Sequence, residues 1–96
     1  MKNMKKVEVI IEAVYLNRLL ELYAKHGIDR YTVFKDIEGA GGHGRQMADD
    51  VTDVFSNDFV LSVCDETKFL EIREPVRSFI NKYGGKCFVT DTTMLL

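Results

Sequence analysis

Hydrophobic residues in the first third of the chain change from an alternating to a helical spacing. Over residues 5–13 they alternate with polar residues, which predicts a strand with one strongly buried face. That face carries Val7, Val9 and Ile11. Over residues 14–26 the apolar positions follow a helical spacing, which predicts a helix. We expect this helix to end at Gly27, which can take a left-handed backbone conformation.

Two further strands are predicted before the second helix. Residues 31–38 alternate and are rich in β-branched and aromatic side chains, as is typical of a strand. Residues 59–64 form a continuous apolar run interrupted only by Ser62, which predicts a short, fully buried central strand.

The second predicted helix has a cap at Asp65 or Thr67 and ends at the glycine pair Gly84 and Gly85. Its buried stripe contains Phe69, Ile72, Val76, Phe79, Ile80 and Tyr83. Pro75 falls inside the pattern and lacks a backbone donor, so we expect a kink or an irregular turn there. Residues 86–91 are predicted to form the last strand, followed by an extended tail over residues 92–96.

The order of the elements predicts an α+β fold, the ferredoxin-like β-α-β-β-α-β sandwich, with both helices on one face of the sheet. The other face would be left open, and Ile10 and Phe34 place apolar side chains on it. A chain of 96 residues with a half-covered sheet is a candidate for sheet-to-sheet assembly in a closed ring.

Composition places the chain among ordinary globular domains, and its length fits one domain over residues 1–96. Its residues are 46% hydrophobic and 29% charged, which excludes disordered, collagen-like and disulfide-rich classes. Its apolar runs are too short for a bilayer span or a signal-peptide core, so the cytoplasm is the expected compartment. A net charge of −2 argues against a nucleic-acid partner.

Residues 39–57 form a glycine-dense stretch with no clear period, and a loop this long in a small domain is usually functional or mobile. Its glycines allow backbone N–H groups to turn inward, and Arg45 adds a guanidinium, so the stretch is a candidate anion-binding loop. A flexible linker is the alternative, because glycine is also the residue of mobile loops.

The same stretch contains an alternative candidate site for a metal ion. Its potential ligands are His43, Asp49, Asp50 and Asp53. No paired-histidine or C-x-x-C element accompanies them, so we favour a solvated acidic loop over a metal site. A partner-facing acidic cluster over residues 49–53 is an equal alternative to the solvated loop.

The remaining chemistry-bearing residues give little support for catalysis. Cys64 and Cys87 fall in predicted strands, where we expect small buried hydrophobic residues rather than a disulfide, a metal pair or a nucleophile. No motif of the serine-hydrolase, P-loop or zinc-protease type is present. The sequence therefore favours a sensor over an enzyme.

Two segments resemble the PII signalling family. Residues 31–41, with Thr32 and Val33 ahead of a G-x-G run, resemble the second strand and the start of the loop that follows it. Residues 83–89 resemble the glycine-lysine B-loop, which continues into the last strand as G-K-x-F-V. Their spacing suits the chain plan of the family and makes residues 39–57 its T-loop, so the resemblance covers nearly the whole chain.

This resemblance implies a homotrimer that binds adenine nucleotides in clefts between subunits and signals through the T-loop. Carried over residue by residue, it implies nucleotide contacts from Thr32, Gly39, Gly41, Gly84, Gly85 and Lys86. Arg45 and Gln46 are the implied anion-binding residues of the T-loop.

The chain departs from the nitrogen-regulating members in three places. Residues 39–57 contain no tyrosine, so the usual nucleotidylation site is missing. The second-strand segment is one residue longer, and no arginine follows the last strand. The chain is more similar to the divergent PII-like group that senses adenine nucleotides together with bicarbonate.

That similarity implies ADP or AMP as ligands, with ATP and bicarbonate as further candidates and no cofactor. It also implies a membrane transporter or a carbon-fixation protein as the partner. A metal-responsive PII-like protein, or a copper-tolerance-type trimer linked to metal homeostasis, is the alternative.

Overall fold

A computed structural model of the chain describes residues 1–38 and 56–96, which form four strands and two helices. In chain order these are β1 (Lys2–Glu12), α1 (Leu16–Lys25), β2 (Thr32–Ile37), β3 (Asn57–Cys64), α2 (Glu66–Tyr83) and β4 (Lys86–Met94). A short 3₁₀ turn at Ala13–Tyr15 joins β1 to α1. The predicted order of elements is confirmed.

The four strands form one antiparallel sheet in the order β2-β3-β1-β4. β1 pairs on both sides, so that Val9 lies opposite Val60 of β3 and Cys87 of β4. β2 and β4 are the two edges of the sheet. This is the predicted ferredoxin-like α+β sandwich.

The hydrophobic core lies between the helices and one face of this sheet. Val7, Val9 and Ile11 are buried, as the alternation in the sequence predicts. The other buried apolar residues are Leu16, Leu19, Tyr23, Ile28, Val60, Cys64, Ile72, Val76 and Phe79. Of the predicted stripe on α2, the central residues are buried and those toward the ends are partly buried.

The prediction of a fully buried β3 is wrong for a single chain. Burial alternates along β3: Val60 and Cys64 are buried, whereas on the opposite face Leu61 is half-buried and Val63 is 38% exposed. The reason is that a ferredoxin-like sandwich places both helices on one face of the sheet, so an apolar run can cover both faces of a strand while the fold buries one. β3 also begins at Asn57, which the sequence placed in the loop.

β1 and β4 are longer than predicted and form a two-stranded ribbon beyond the rest of the sheet. Lys2 pairs with Met94, and Met4 pairs with Thr92. The predicted tail therefore continues the last strand up to Met94. The strand extends this far because the pairing of β4 with β1, which begins at Lys86, continues without a shift in register to Met94.

Both ends of α2 follow the local sequence signals. The Asp65 side chain caps the helix by accepting the backbone N–H of Lys68 at 2.8 Å, so Asp65 is the cap and Thr67 lies inside the helix. α2 continues as one helix on both sides of Pro75. At its end, Gly84 donates its backbone N–H to the Ile80 carbonyl at 2.8 Å.

Lys68 joins the start of α2 to the end of α1. Its ammonium donates to the His26 carbonyl oxygen at 2.9 Å and pairs with the Glu71 carboxylate at 2.9 Å. A positive charge is favourable at a helix C-terminus, where backbone carbonyls lack partners. The same end is shaped by Gly27, whose φ of 78° is the predicted left-handed stop.

We expect Lys68→Met to lower the free energy of unfolding by about 1 kcal/mol, because it leaves the α1 terminus without this donor. Glu71→Gln is the matched control, since it removes only the exposed ion pair and should cost less than half as much. Urea unfolding at one fixed protein concentration measures both. Equal losses in the two variants would show that the carbonyl contact is not the source of the stability.

Candidate functional site

The structure describes four of the predicted nucleotide-binding residues. Thr32 begins β2, and Gly84, Gly85 and Lys86 form the connection from α2 into β4. We call Thr32 the β2 half of the site and residues 84–86 the β4 half. The other predicted residues lie outside the described part of the chain: Gly39, Gly41, Arg45, Gln46 and the alternative metal ligands His43, Asp49, Asp50 and Asp53.

One copy of the chain keeps these two halves at opposite edges of the sheet. Thr32 lies opposite Leu61 of β3, Leu61 lies opposite Glu8 of β1, and Glu8 lies opposite Phe88 of β4. Three steps of about 4.8 Å between neighbouring strands separate the two ends of this row by about 14 Å. Lys86 lies two residues farther along the edge strand β4. The β2 half and the β4 half therefore do not converge within one chain.

The β4 half depends on glycine at two positions for different reasons. Gly84 and Gly85 have φ values of 84° and 101°, which side chains rarely allow. A Cβ atom on Gly85 would lie 2.4 Å from the Ile10 carbonyl oxygen, whereas one on Gly84 would meet no described atom within 4 Å. The close approach at Gly85 brings the chain onto β1, so that Lys86 pairs with Ile10 as β4 begins.

A cluster of aromatic and basic side chains anchors the residue before this turn. The Tyr83 ring packs against the rings of Tyr15 and Phe79, with centroid distances of 4.8 Å to each. The Arg18 guanidinium carbon lies 5.5 Å from the Tyr83 ring centroid, and the Lys82 ammonium lies 5.2 Å from it. Sequence reasoning placed Tyr83 in the core but missed Arg18, because this contact joins two helices far apart in sequence.

The β2 edge ends in a β-bulge. The register of β2 against β3 shifts between Phe34 and Ile37, where Lys35 and Asp36 lie opposite the single residue Asp58. Sequence reasoning missed Asp58, because its contact with Asp36 joins residues 22 positions apart in sequence.

Both cysteines are free thiols on the core face of the sheet; Cys64 is buried, as predicted, and Cys87 is half-buried. Burial raises the pKa of both thiols above their ordinary value, and Asp65 adds to the effect at Cys64. Cys64 pairs with Lys5 on one side of β1, and Cys87 pairs with Val9 on the other side. They are therefore offset by about 13 Å along the strands, which is too far for a disulfide.

Two further findings concern residues 1–38 and 56–96 only. In this part of the chain, no group of three or more histidine, cysteine, aspartate or glutamate side chains is arranged to hold a metal ion. Neither helix in this part is both long and apolar enough to cross a membrane.

We expect Gly85→Ala to lower the free energy of unfolding by about 3 kcal/mol, because the methyl group adds a clash with β1 to an unfavourable φ. Gly84→Ala is the matched control, since it carries only the cost of the φ value, about 1 kcal/mol. Urea unfolding of the two variants compares them directly. Similar losses would contradict the close contact between Gly85 and β1.

Solved structures share this fold across nearly the whole chain. CPII from Thiomonas intermedia K12, a nitrogen regulatory PII-like protein bound to ADP, AMP and bicarbonate, matches with a TM-score of 0.83 and 21% identity over 99% of this chain and 96% of that one. A PII-like signaling protein from Thermus thermophilus matches with a TM-score of 0.75 and 20% identity over 94% and 87% of the two chains. GlnK from B. subtilis, in a complex with ATP, matches with a TM-score of 0.60 and 22% identity over 94% and 82%.

The sequence itself matches a family model along almost its entire length. No match is found among the curated proteins. The model of the nitrogen regulatory protein P-II family, in contrast, matches residues 4–95. On this match, and with a fold shared with PII-like proteins, the chain belongs to the P-II family.

Proposed function

We propose that this chain is a PII-like regulatory protein that binds ADP or AMP in the clefts between the subunits of a homotrimer. The observation that carries the proposal is the separation of Thr32 from Lys86 by the width of the sheet. Two sheet edges that are apart in one copy can meet when the β2 edge of one copy lies beside the β4 edge of the next. A cyclic trimer contains three such junctions.

The face of the sheet that lacks helices supports this assembly. Its apolar residues are Ile10, Phe34, Phe59, Leu61, Val63 and Phe88, which we call the open face. The Phe34 and Phe59 rings pack with centroids 5.5 Å apart, and Phe34 keeps 48% of its surface exposed. Exposed apolar side chains grouped on one face of a sheet are typical of a surface that another subunit covers.

The two halves of the site offer complementary chemistry to a nucleotide. Lys86 follows two glycines at the start of an edge strand, where an ammonium group can approach a phosphate. The Thr32 hydroxyl, on the other edge, can donate to or accept from a base. The ligands bound to Thiomonas CPII support ADP and AMP as the nucleotides and bicarbonate as a candidate co-ligand.

We assign a regulatory rather than a catalytic role to the assembled site. Residues 39–57, which contain Arg45 and Gln46, connect the β2 half to β3 and are the proposed T-loop. A ligand that contacts this segment in one of its conformations shifts the population toward that conformation. A transporter or a carbon-fixation protein that reads this conformation is the proposed partner.

We expect sedimentation of the wild-type protein to give about three times the 11.0 kDa mass of one chain. Phe88→Lys should dissociate the assembly, because it places a charge in the open face. Leu70→Lys is the matched control, since both side chains are 53% exposed and Leu70 lies on α2 instead. A wild-type monomer at micromolar concentration, or a trimer that survives Phe88→Lys, would contradict the proposed assembly.

We expect Lys86→Ala to weaken ADP binding by about one to two decades. A charge-assisted contact with a phosphate contributes about 1.5–3 kcal/mol, and each decade of affinity corresponds to about 1.4 kcal/mol. Isothermal titration with ADP measures the change, with Lys25→Ala at the end of α1 as the control and the trimer mass checked for both. Unchanged affinity in Lys86→Ala would remove Lys86 from the nucleotide site.

A further inference from the structure

The last residues of β2 have an unusual backbone conformation. Asp36 has a φ of 58°, and among the described residues it is the one non-glycine residue with a positive φ. Aspartate is one of the few side chains that tolerate this region, although glycine is favoured there. The strand therefore needs support at this position to keep its conformation.

Asp58 provides that support from the neighbouring strand. Its side chain is 2% exposed and lies on the core face of the sheet, where it pairs with Ile11 of β1. One of its carboxylate oxygens accepts the backbone N–H of Asp36 at 3.1 Å. A carboxylate side chain is uncommon in a hydrophobic core, because removing its charge from water costs free energy unless hydrogen-bond partners or opposite charges compensate.

The hydrogen bond acts on the edge strand that carries the β2 half of the site. If the Asp58 carboxylate were removed, the backbone N–H of Asp36 would lose this hydrogen bond. The loss would fall at the point where the register of β2 against β3 shifts. Phe34 lies directly before the bulge, and Thr32 lies two residues before Phe34 on the same face of the strand. The conformation of Asp36 thus influences the direction of the edge strand that carries Thr32.

We propose that Asp58 is a positioning residue of the ligand site: its buried carboxylate holds the Lys35–Asp36 bulge and so fixes the β2 half relative to the sheet. This role rests on the proposed nucleotide-binding function. Asp58 acts through the backbone of β2, so we expect the acceptor oxygen, rather than the negative charge, to be what the site requires.

Three variants distinguish the contribution of the hydrogen-bond acceptor on Asp58 from that of its negative charge and from that of the backbone conformation of Asp36. Asp58→Leu removes the acceptor and suits a core-facing position, and we expect it to weaken ADP binding by about tenfold. Asp58→Asn keeps an oxygen that can accept the N–H, and should bind ADP within about threefold of the wild type. Adding Asp36→Gly to Asp58→Leu should recover part of the affinity, because glycine adopts this φ without support.

Ser62→Ala is the matched control for damage to β3. Ser62 is a second buried polar residue on the same face of the same strand, but it lies away from the bulge. We expect it to leave ADP binding unchanged, as measured by isothermal titration with the trimer mass and the thermal midpoint checked for every variant.

Amide hydrogen exchange of Asp36, followed by NMR, tests the hydrogen bond without any ligand. The Asp36 amide should be protected in the wild type and in Asp58→Asn, and should exchange faster in Asp58→Leu. Unchanged protection in Asp58→Leu, or equal ADP affinity in Asp58→Leu and the wild type, would overturn the positioning role alone. A loss in Asp58→Asn as large as that in Asp58→Leu would also overturn it, whereas a wild type that binds no ADP would overturn the proposed function as well.

Discussion

The pairing of β1 with a strand on each side is the constraint on which the rest of the structure depends. Because β1 pairs with β3 and β4, the strands before and after α2 are its two neighbours, and β2 is left at the far edge. The same register places Val7, Val9 and Ile11 under the helices. It also fixes the width of sheet that separates Thr32 from Lys86, so the core and the division of the proposed site have one origin.

The covering of a single face by both helices has a second consequence. The helices bury the core side of every strand, while the opposite side keeps the apolar residues of the open face. Hydrophobic burial is the dominant favourable contribution to folding, and a small domain buries a smaller fraction of its surface than a large one. An assembly that covers the open face would therefore contribute stability, and it would complete the proposed ligand site in the same step.

Features determined by residues close in sequence could be predicted. The alternation around Val9, the stop at Gly27 and the cap at Asp65 are local, and the structure has all three. The turn at Gly84 and Gly85 was also predicted. The requirement for glycine at Gly85, however, depends on a contact with β1 that no local pattern encodes.

Features that depend on distant pairing could not be predicted. The support of Asp36 by Asp58 crosses 22 positions of sequence, and the contact between Arg18 and Tyr83 crosses 65. The full burial predicted for β3 was wrong for the same reason, since an apolar run does not reveal which face the helices leave open. The separation of the two halves of the site likewise became visible only once the order of the strands was known.

The most direct test of a site shared between copies is complementation by mixed trimers. Thr32→Leu and Lys86→Ala chains are coexpressed, and ADP binding to the mixed trimers is compared with binding to each variant alone. If the β2 half comes from one copy and the β4 half from the next, every mixed trimer contains one intact cleft. At equal expression, about a quarter of all clefts should then bind ADP with wild-type affinity. The absence of a high-affinity fraction on mixing, with both variants assembled and each defective alone, would contradict a site built between subunits.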